Sequence, residues 1–371
     1  MMIKKIKIHG FLQQFNYDLD FSESDIKFIT GPNGYGKSTI LNLVDYLFHE
    51  QWKELCAIIF NSVEIILSDN TFRIEKENIS ENIVDEDSDD IRTTYRMVVY
   101  LNDRPCVVVT GSFNENGIVI GKVKVEKKEA YKTSFKLFIN SQKLISIKDS
   151  RLYKSPKALK DNLLVIEENS LKLRSLLLEK RDDIRIILST NETSSLTSNE
   201  HYSEEKREFW SSLKKYNLVN KEEHICSASK LDTIFQKLSS FIKKLDLFFT
   251  VIEQCEFTNK KMTIAPELGY IFKLNDEYQS ILDFPQLSSG EKQILTILYS
   301  LLFDVEEDSI ILIDEPEISF HMSWQVMFLS VLKQILKNKH AQYIIATHSP
   351  QMFELNFDNA IDLYEISEKR D

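Results

Sequence analysis

The sequence lacks any apolar run that approaches the roughly 20 residues needed to span a bilayer. Its first eight residues, MMIKKIKI, alternate like a strand and have neither the long apolar core nor the small-residue cleavage site of a secretory signal. We therefore expect no membrane partner and no secretory leader.

Cysteine is scarce, with four residues in a chain of 371 and no CxxC pair. This spacing argues against a zinc ribbon and against a disulfide-stabilised fold, and the seven histidines form no cluster with metal-ligand spacing. We interpret the cysteines as buried free thiols, and we expect a cytoplasmic location, where thiols stay reduced.

Positive charge is in deficit, because the formal net charge is −11. A protein whose whole surface grips nucleic acid is normally basic, so this charge disfavours DNA as the main ligand. Acidic proteins nevertheless bind DNA through local basic stripes. DNA therefore stays open as a partner.

Strand-like and helical patterns alternate along the chain. Apolar residues predict two short strands in the first thirty residues, a helix over 38–48 and several strand-like runs between 62 and 125. Residues 158–187 and 229–253 have apolar residues at helical spacing. The second of these stretches is apolar over so broad a surface that it either packs into a core or meets a partner.

A phosphate-binding pattern follows the second strand-like run. Residues 31–38 read GPNGYGKS, which fits GxxxxGK[ST] in full, between a predicted strand and a predicted helix. Such a loop binds ATP phosphates through its backbone N–H groups and the adjacent helix N-terminus. Lys37 can reach the β- and γ-phosphates, and the Ser38 hydroxyl can ligate Mg²⁺. The predicted nucleotide-binding residues here are Gly31, Pro32, Asn33, Gly34, Tyr35, Gly36, Lys37, Ser38 and Thr39.

Two carboxylates end a second motif. Residues 309–316 read SIILIDEP, and a continuous apolar run of this kind is typical of a strand covered on both faces. Asp314 is placed to hold Mg²⁺ through water, and Glu315 to orient and deprotonate the attacking water. An apolar run before Asp-Glu is often only a strand end. Together with the phosphate loop, however, it indicates an ATPase.

Two further segments complete the pattern. Residues 287–293, LSSGEKQ, open an apolar helix whose small residues suit an anion-binding cradle. Taken alone, the same residues equally fit an ordinary capped helix with Ser288 or Ser289 as N-cap. Residues 341–350, AQYIIATHSP, read as another strand, which ends at His348.

In this order the segments resemble the ABC-ATPase class. The phrases GPNGYGKST, LSSGEKQ, IDEPEISFH and IIATHSP are similar to those of RecF-like and OLD-like bacterial ATPases, which are cousins of the SMC and DNA-repair ATPases. The resemblance implies an α/β fold, namely an ABC-ATPase head with a P-loop mixed sheet, an antiparallel β lobe and a helical insertion. We accordingly assign residues 1–112 to the first part of the head with the β lobe, 113–259 to the insertion and 260–371 to the last part of the head.

The resemblance also assigns roles at a subunit interface. It implies an ATP-dependent homodimer, or a higher oligomer, in which Ser288 and Gly290, with Ser289 between them, contact the nucleotide bound to the opposite subunit. Ser289 and Glu291 replace a glycine and the glutamine of the LSGGQ signature. Residues 317–321 correspond to the D-loop of the interface.

Within one subunit, the resemblance implies three catalytic residues, which are Lys37, Glu315 and His348. His348 would contact the γ-phosphate. Gln142, after a strand-like stretch, is our candidate for the Q-loop residue that contacts both the nucleotide and Mg²⁺. The metal ligands are therefore predicted to be Ser38, Asp314 and Gln142.

Several biological roles fit such a protein. Lys37 and Ser288 lie too far apart in the sequence for a transporter ATPase and too close for the long coiled coil of an SMC protein. Because few residues follow Pro350, we also expect no nuclease domain within the chain. Proteins of this kind often act with a separate effector, commonly a nuclease, in Septu-like and retron-associated anti-phage systems. The alternatives are a RecF-like DNA-repair ATPase, a low-turnover nucleotide sensor or scaffold and, least favoured, a transporter subunit.

Overall fold

The computed structural model describes residues 2–79, 83–84, 91–113, 123–141, 144–147, 156–190, 202–255, 257–337, 340–353 and 357–369. The chain forms two compact units. The first consists of residues 1–149 and 305–371, and the second of residues 150–304. The assignment of segments 1–112, 113–259 and 260–371 to parts of an ATPase head stays a prediction.

A parallel sheet of five strands contains the phosphate-loop strand. Its order is β10-β14-β15-β3-β16, and all of its pairings are parallel; the strands are β3 (Ile26–Thr30), β10 (Leu144–Ile147), β14 (Ser309–Asp314), β15 (Ala341–Ala346) and β16 (Ala360–Asp362). Every residue of β14 and β15 is buried. This explains their continuous apolar runs, because strands covered on both faces need apolar side chains in both directions.

The β lobe is a separate antiparallel sheet of the same unit. Its order is β17-β2-β1-β4-β5-β7-β8-β9, with β6 paired to β7; the strands are β1 (Ile3–Phe11), β2 (Phe15–Asp20), β4 (Ser62–Leu67), β5 (Thr71–Asn78), β6 (Ile83–Val84), β7 (Ile91–Leu101), β8 (Arg104–Phe113), β9 (Lys124–Lys127) and β17 (Glu368–Lys369). We predicted a mixed sheet around the phosphate loop. In the described residues the pairings of that sheet are parallel, and the antiparallel pairings belong to the β lobe. Strand β2 lies between the two strands predicted in the first thirty residues, which the apolar pattern did not indicate.

The described residues of the first unit include the α-helices α1 (Lys37–Phe48), α2 (Trp52–Ala57), α3 (Lys136–Ser141), α8 (Met322–Leu336) and α9 (Leu363–Ile366). Helix α1 buries the apolar face that the sequence predicted, and Ile40, Val44 and Leu47 join one hydrophobic cluster with residues of both sheets. This packing stabilises the helix that follows the phosphate loop.

The second unit combines long helices with a small antiparallel sheet. It contains α4 (Pro156–Ser189), α5 (Glu204–Lys215), α6 (Ala228–Gln254), β11 (Lys260–Ala265), β12 (Gly269–Leu274), β13 (Ile281–Leu282) and α7 (Ser289–Tyr299). On α6, Leu238, Leu245 and Phe248 are fully buried, so its broad apolar surface serves largely as core. None of the helices among the described residues is long and apolar enough to cross a membrane.

Candidate functional site

The phosphate loop lies between β3 and α1, as predicted. Gly36 is the N-cap of α1 and has a left-handed φ of 84°. A Cβ at this position would lie 2.3 Å from Cε1 of Phe11, so the close approach of the loop to β1 requires glycine. Tyr35 packs against Phe15 with ring centroids 4.9 Å apart, and its carbonyl accepts a hydrogen bond from the Tyr17 hydroxyl at 2.9 Å. The β lobe thus supports the loop directly.

Lys37 is buried at the start of α1. Its Nζ donates to the carbonyl oxygens of Gly31, at 2.9 Å, and Pro32, at 3.2 Å. Burial lowers the pKa of Lys37, while the carboxylates of Glu315, Asp314, Glu317 and Asp362 act in the opposite direction. The ammonium group therefore lies in the field of several acidic groups, two of which were predicted from the Asp-Glu motif.

Ser38 and Asp314 meet although they are far apart in sequence. The Ser38 hydroxyl donates to Oδ1 of Asp314 at 2.9 Å. Asp314 is the last residue of β14 and is buried, and Ser38 lies in the first turn of α1. A hydroxyl oxygen and a carboxylate oxygen at this distance are the kind of hard donors that Mg²⁺ prefers. The donor chemistry of the two predicted metal ligands thus fits the ion.

Glu315 and His348 come together at the ends of two adjacent strands. Oε1 of Glu315 lies 3.3 Å from Nε2 of His348. Glu315 has a left-handed backbone, with φ 45° and ψ 53°, and its N–H donates to the carbonyl of Ala346 at 2.9 Å. Such a conformation costs a non-glycine residue about 1–3 kcal/mol and is concentrated at functional sites. It turns Glu315 out of the strand.

Glu317 belongs to this site but was singled out by no motif. It lies in the 3₁₀ turn Pro316–Ser319, and its Oε1 accepts the backbone N–H of His348 at 2.6 Å. The sequence grouped it only with the D-loop residues 317–321. A second glutamate two residues after the Asp-Glu pair was the one available signal, and it did not indicate which neighbour the side chain would contact.

The LSSGEKQ segment forms a capped helix start in the second unit. Ser288 is the N-cap of α7: its hydroxyl accepts the N–H of Glu291 at 3.3 Å, and its own N–H donates to Oε2 of Glu291 at 2.7 Å. Lys260 of β11 lies 2.8 Å from both carboxylate oxygens of Glu291. Ser288 and Ser289 are exposed, whereas Gly290 is buried. The helix start thus has two exposed serine residues.

The remaining predicted residues differ in how far the structure describes them. Pro32 and Asn33 are exposed in the phosphate loop, and Thr39 is half-buried in α1. Gln142 lies outside the described residues, so its role stays a prediction. The expectation of a strand before it was wrong, because residues 136–141 form helix α3. Phe138 packs against Phe72 of β5 with ring centroids 5.5 Å apart, a tertiary contact that the local pattern did not reveal.

Comparison with known proteins supports the resemblance that the motifs indicated. The chain is 35% identical to the retron Ec83 probable ATPase of Escherichia coli over 107 residues, which are 26% of this chain and 19% of the relative. It is 32% identical to the Septu protein PtuA of Bacillus thuringiensis over 101 residues, which are 24% of this chain and 25% of the relative. The matches therefore span about a quarter or less of these relatives.

Among solved structures, the chain is similar to an SMC head bound to the C-terminal winged-helix domain of ScpA. The TM-score is 0.43, the sequence identity is 14%, and the match covers 98% of this chain and 94% of that one. A family profile, described as an AAA domain, putative AbiEii toxin, type IV toxin–antitoxin system, matches residues 26–354. This match extends from β3 to beyond His348 and so includes the whole candidate site. The chain belongs to this family of AAA-domain ATPases.

Proposed function

We propose that this protein binds ATP with Mg²⁺, dimerises around the nucleotide and hydrolyses it. The observation that carries the proposal is the convergence of Lys37, Ser38, Asp314, Glu315 and His348 from three separate parts of the sequence. They follow β3, β14 and β15, which are neighbours in a parallel sheet. Ligands of open α/β sheets bind outside the carboxyl ends of the strands, which is where these residues lie.

Each residue has a role that its contacts support. Lys37 and the backbone N–H groups of the loop would bind the β- and γ-phosphates. Ser38 and Asp314 would hold Mg²⁺, which when bound neutralises charge on the phosphate oxygens. Glu315 would orient the attacking water and accept its proton, while His348, 3.3 Å away, would contact the γ-phosphate.

The proposed dimer uses the start of α7. Ser288, Ser289 and Gly290 of one subunit would complete the nucleotide site of the other. The exposed residues Ser288 and Ser289 and the positive end of the helix dipole suit a phosphate ligand. Because each nucleotide would contact both subunits, ATP would supply association energy, and hydrolysis would release it.

The proposed biological role is a switch in anti-phage defence that acts with a separate effector, such as a nuclease. It is supported by the similarity to a retron ATPase and to a Septu protein. Cytoplasm is the proposed compartment, in agreement with the buried free thiols of Cys56 and Cys106. DNA remains a further candidate ligand.

Turnover is the first test of this function. We expect the wild-type chain to release phosphate from ATP in the presence of Mg²⁺. E315Q should lower the rate at least about 100-fold, because it removes the general base, and should still bind ATP. D358N, which changes an exposed carboxylate of the first unit, is the matched control.

Two results would contradict the assignment. If E315Q hydrolyses ATP at the wild-type rate, Glu315 is not the base. If the wild-type chain binds ATP without measurable turnover, the low-turnover sensor or scaffold becomes the better interpretation.

The effector can be sought by capturing E315Q from its host with ATP and Mg²⁺ and identifying stoichiometric partners by mass spectrometry. A nuclease would support the defence role, whereas a permease would favour a transporter subunit.

A further inference from the structure

Glu317 has an unusual environment for a carboxylate. Only 9% of its surface is exposed. Oε1 accepts the His348 N–H at 2.6 Å, whereas Oε2 is buried and has no hydrogen-bond partner within the described part of the chain. A buried polar atom without a partner costs about 1–3 kcal/mol, and more if it is charged. Stability alone therefore does not account for a glutamate here.

The hydrogen bond to Glu317 joins the ends of two strands. Strands β14 and β15 pair in parallel register up to Asp314 and Ala346, and residues 315–317 and 347–348 follow them. Beyond the register, the N–H of Glu315 donates to Ala346 and the N–H of His348 donates to Glu317. The Glu317 side chain thus continues the connection after the strands have ended.

This connection determines the position of an imidazole that faces Glu315. The His348 side chain is about one third exposed, and its Nε2 lies 3.3 Å from Oε1 of Glu315. The hydrogen bond that the His348 N–H donates to the Glu317 carboxylate fixes the point from which the ring projects. Charge-assisted bonds of this type are roughly twice as strong as bonds between neutral groups.

We propose that Glu317 is a positioning residue, which holds the backbone of His348 so that its imidazole faces Glu315 and the γ-phosphate. The inference rests on the proposed function, because it assumes that Glu315 and His348 act on ATP. Glu317 acts from within its own subunit, by accepting a hydrogen bond. A displacement of about 1 Å in such a group can cost about 100-fold in rate.

Two substitutions separate acceptance of the hydrogen bond from negative charge. E317Q removes the charge but retains a carbonyl oxygen that can accept the His348 N–H. E317A removes the acceptor altogether. We expect E317A to lower kcat for ATP about tenfold to 100-fold with little change in KM, and E317Q to recover most of that loss. Phosphate release at saturating ATP and Mg²⁺ measures both.

A double substitution tests whether the effect passes through His348. If Glu317 acts only by placing that residue, E317A should cause no further loss of kcat when added to H348A, because the two changes remove the same contribution. If kcat of the double variant falls by the product of the two single losses, the proposal is overturned. An E317Q variant as slow as E317A would also overturn it, since charge rather than the hydrogen bond would then matter.

Hydrogen–deuterium exchange provides a test that does not depend on turnover. In the full chain without nucleotide, the peptide containing the His348 amide should exchange faster in E317A than in the wild type, and E317Q should resemble the wild type. Unchanged exchange in E317A would refute the positioning role even if the protein hydrolyses ATP. Faster exchange in E317A, combined with a wild-type protein that shows no ATPase activity, would keep the contact and refute the proposed function.

Discussion

At the scale of single residues, Lys76 of β5 has a buried amine whose pKa is strongly lowered. Its Nζ donates to the carbonyl oxygens of Cys56, at 2.7 Å, and Ile58, at 2.8 Å, and lies 4.1 Å from the centroid of the Tyr95 ring. Burial lowers its pKa to about 8, against a small opposing effect of Cys56. This amine joins the α2 segment to the β lobe.

The lowered pKa of Lys76 predicts a stability that increases with pH. Between about pH 8 and pH 10.5 the unfolded chain keeps a proton on this amine that the folded chain releases. The free energy of unfolding should therefore rise across this window by about 3 kcal/mol, at about 1.4 kcal/mol per unit of pKa. Urea unfolding of the wild type and K76M at both ends of the window measures it. A difference between the two proteins that does not change with pH would contradict the prediction.

Glu315 shows, also at the scale of single residues, that the type of a residue does not by itself define a functional site. Its place after an apolar strand indicated a general base, but a left-handed backbone brings its side chain to His348. The local pattern predicted the residue type and the strand end. It did not predict the backbone conformation, because β15, which accepts the Glu315 N–H at Ala346, is distant in sequence.

At the scale of elements, the start of α7 depends on a strand that precedes it by some thirty residues. Glu291 takes part in the capping box with Ser288 and is 5% exposed, and the nearby Lys260 side chain is 17% exposed. Removing one partner of a buried ion pair leaves an uncompensated charge, whereas replacing both is far less costly. The pair thus keeps the helix start in place.

We therefore predict that paired neutral substitutions are tolerated better than single ones. K260M alone should lower the free energy of unfolding of the second unit by about 3 kcal/mol, because Glu291 loses its partner. K260M/E291Q should recover at least half of this loss, since glutamine can still accept the Ser288 N–H. Denaturant unfolding, followed with hydrogen exchange of α7 peptides, measures the effect. Additive losses in the double variant would show that the charges are not coupled.

At the scale of the whole molecule, the proposed dimer gives a prediction about association. E315Q should be a monomer without nucleotide and a dimer with ATP and Mg²⁺, because the bound nucleotide adds contacts that only the closed dimer provides. S289R adds a large side chain at the exposed start of α7 and should keep E315Q monomeric while ATP binding is retained. S211R, on the exposed face of α5 in the same unit, is the matched control. Analytical ultracentrifugation distinguishes these outcomes. If E315Q with S289R still forms a dimer, the start of α7 does not lie in the interface.

The sequence by itself determined the elements that local chemistry specifies. The glycines and Lys37 of the phosphate loop, the buried strands β14 and β15 and helices α1, α4 and α6 were all predicted close to their observed positions. A phosphate loop needs particular residues in a fixed order, and a buried strand or an amphipathic helix shows its period in the sequence.

Only the tertiary structure decided which of these residues meet. It turned residues 136–141 into a helix, paired Lys260 with Glu291, and placed Glu317 against the backbone of His348. The two hydrogen bonds each join residues 31 positions apart, and α3 packs Phe138 against Phe72 of the β lobe. Folding of the chain brings such partners together, and the periodicity of the sequence does not indicate which distant residues will meet. The residue types of the candidate site were therefore readable in advance, but the hydrogen bonds that hold these residues in position were not.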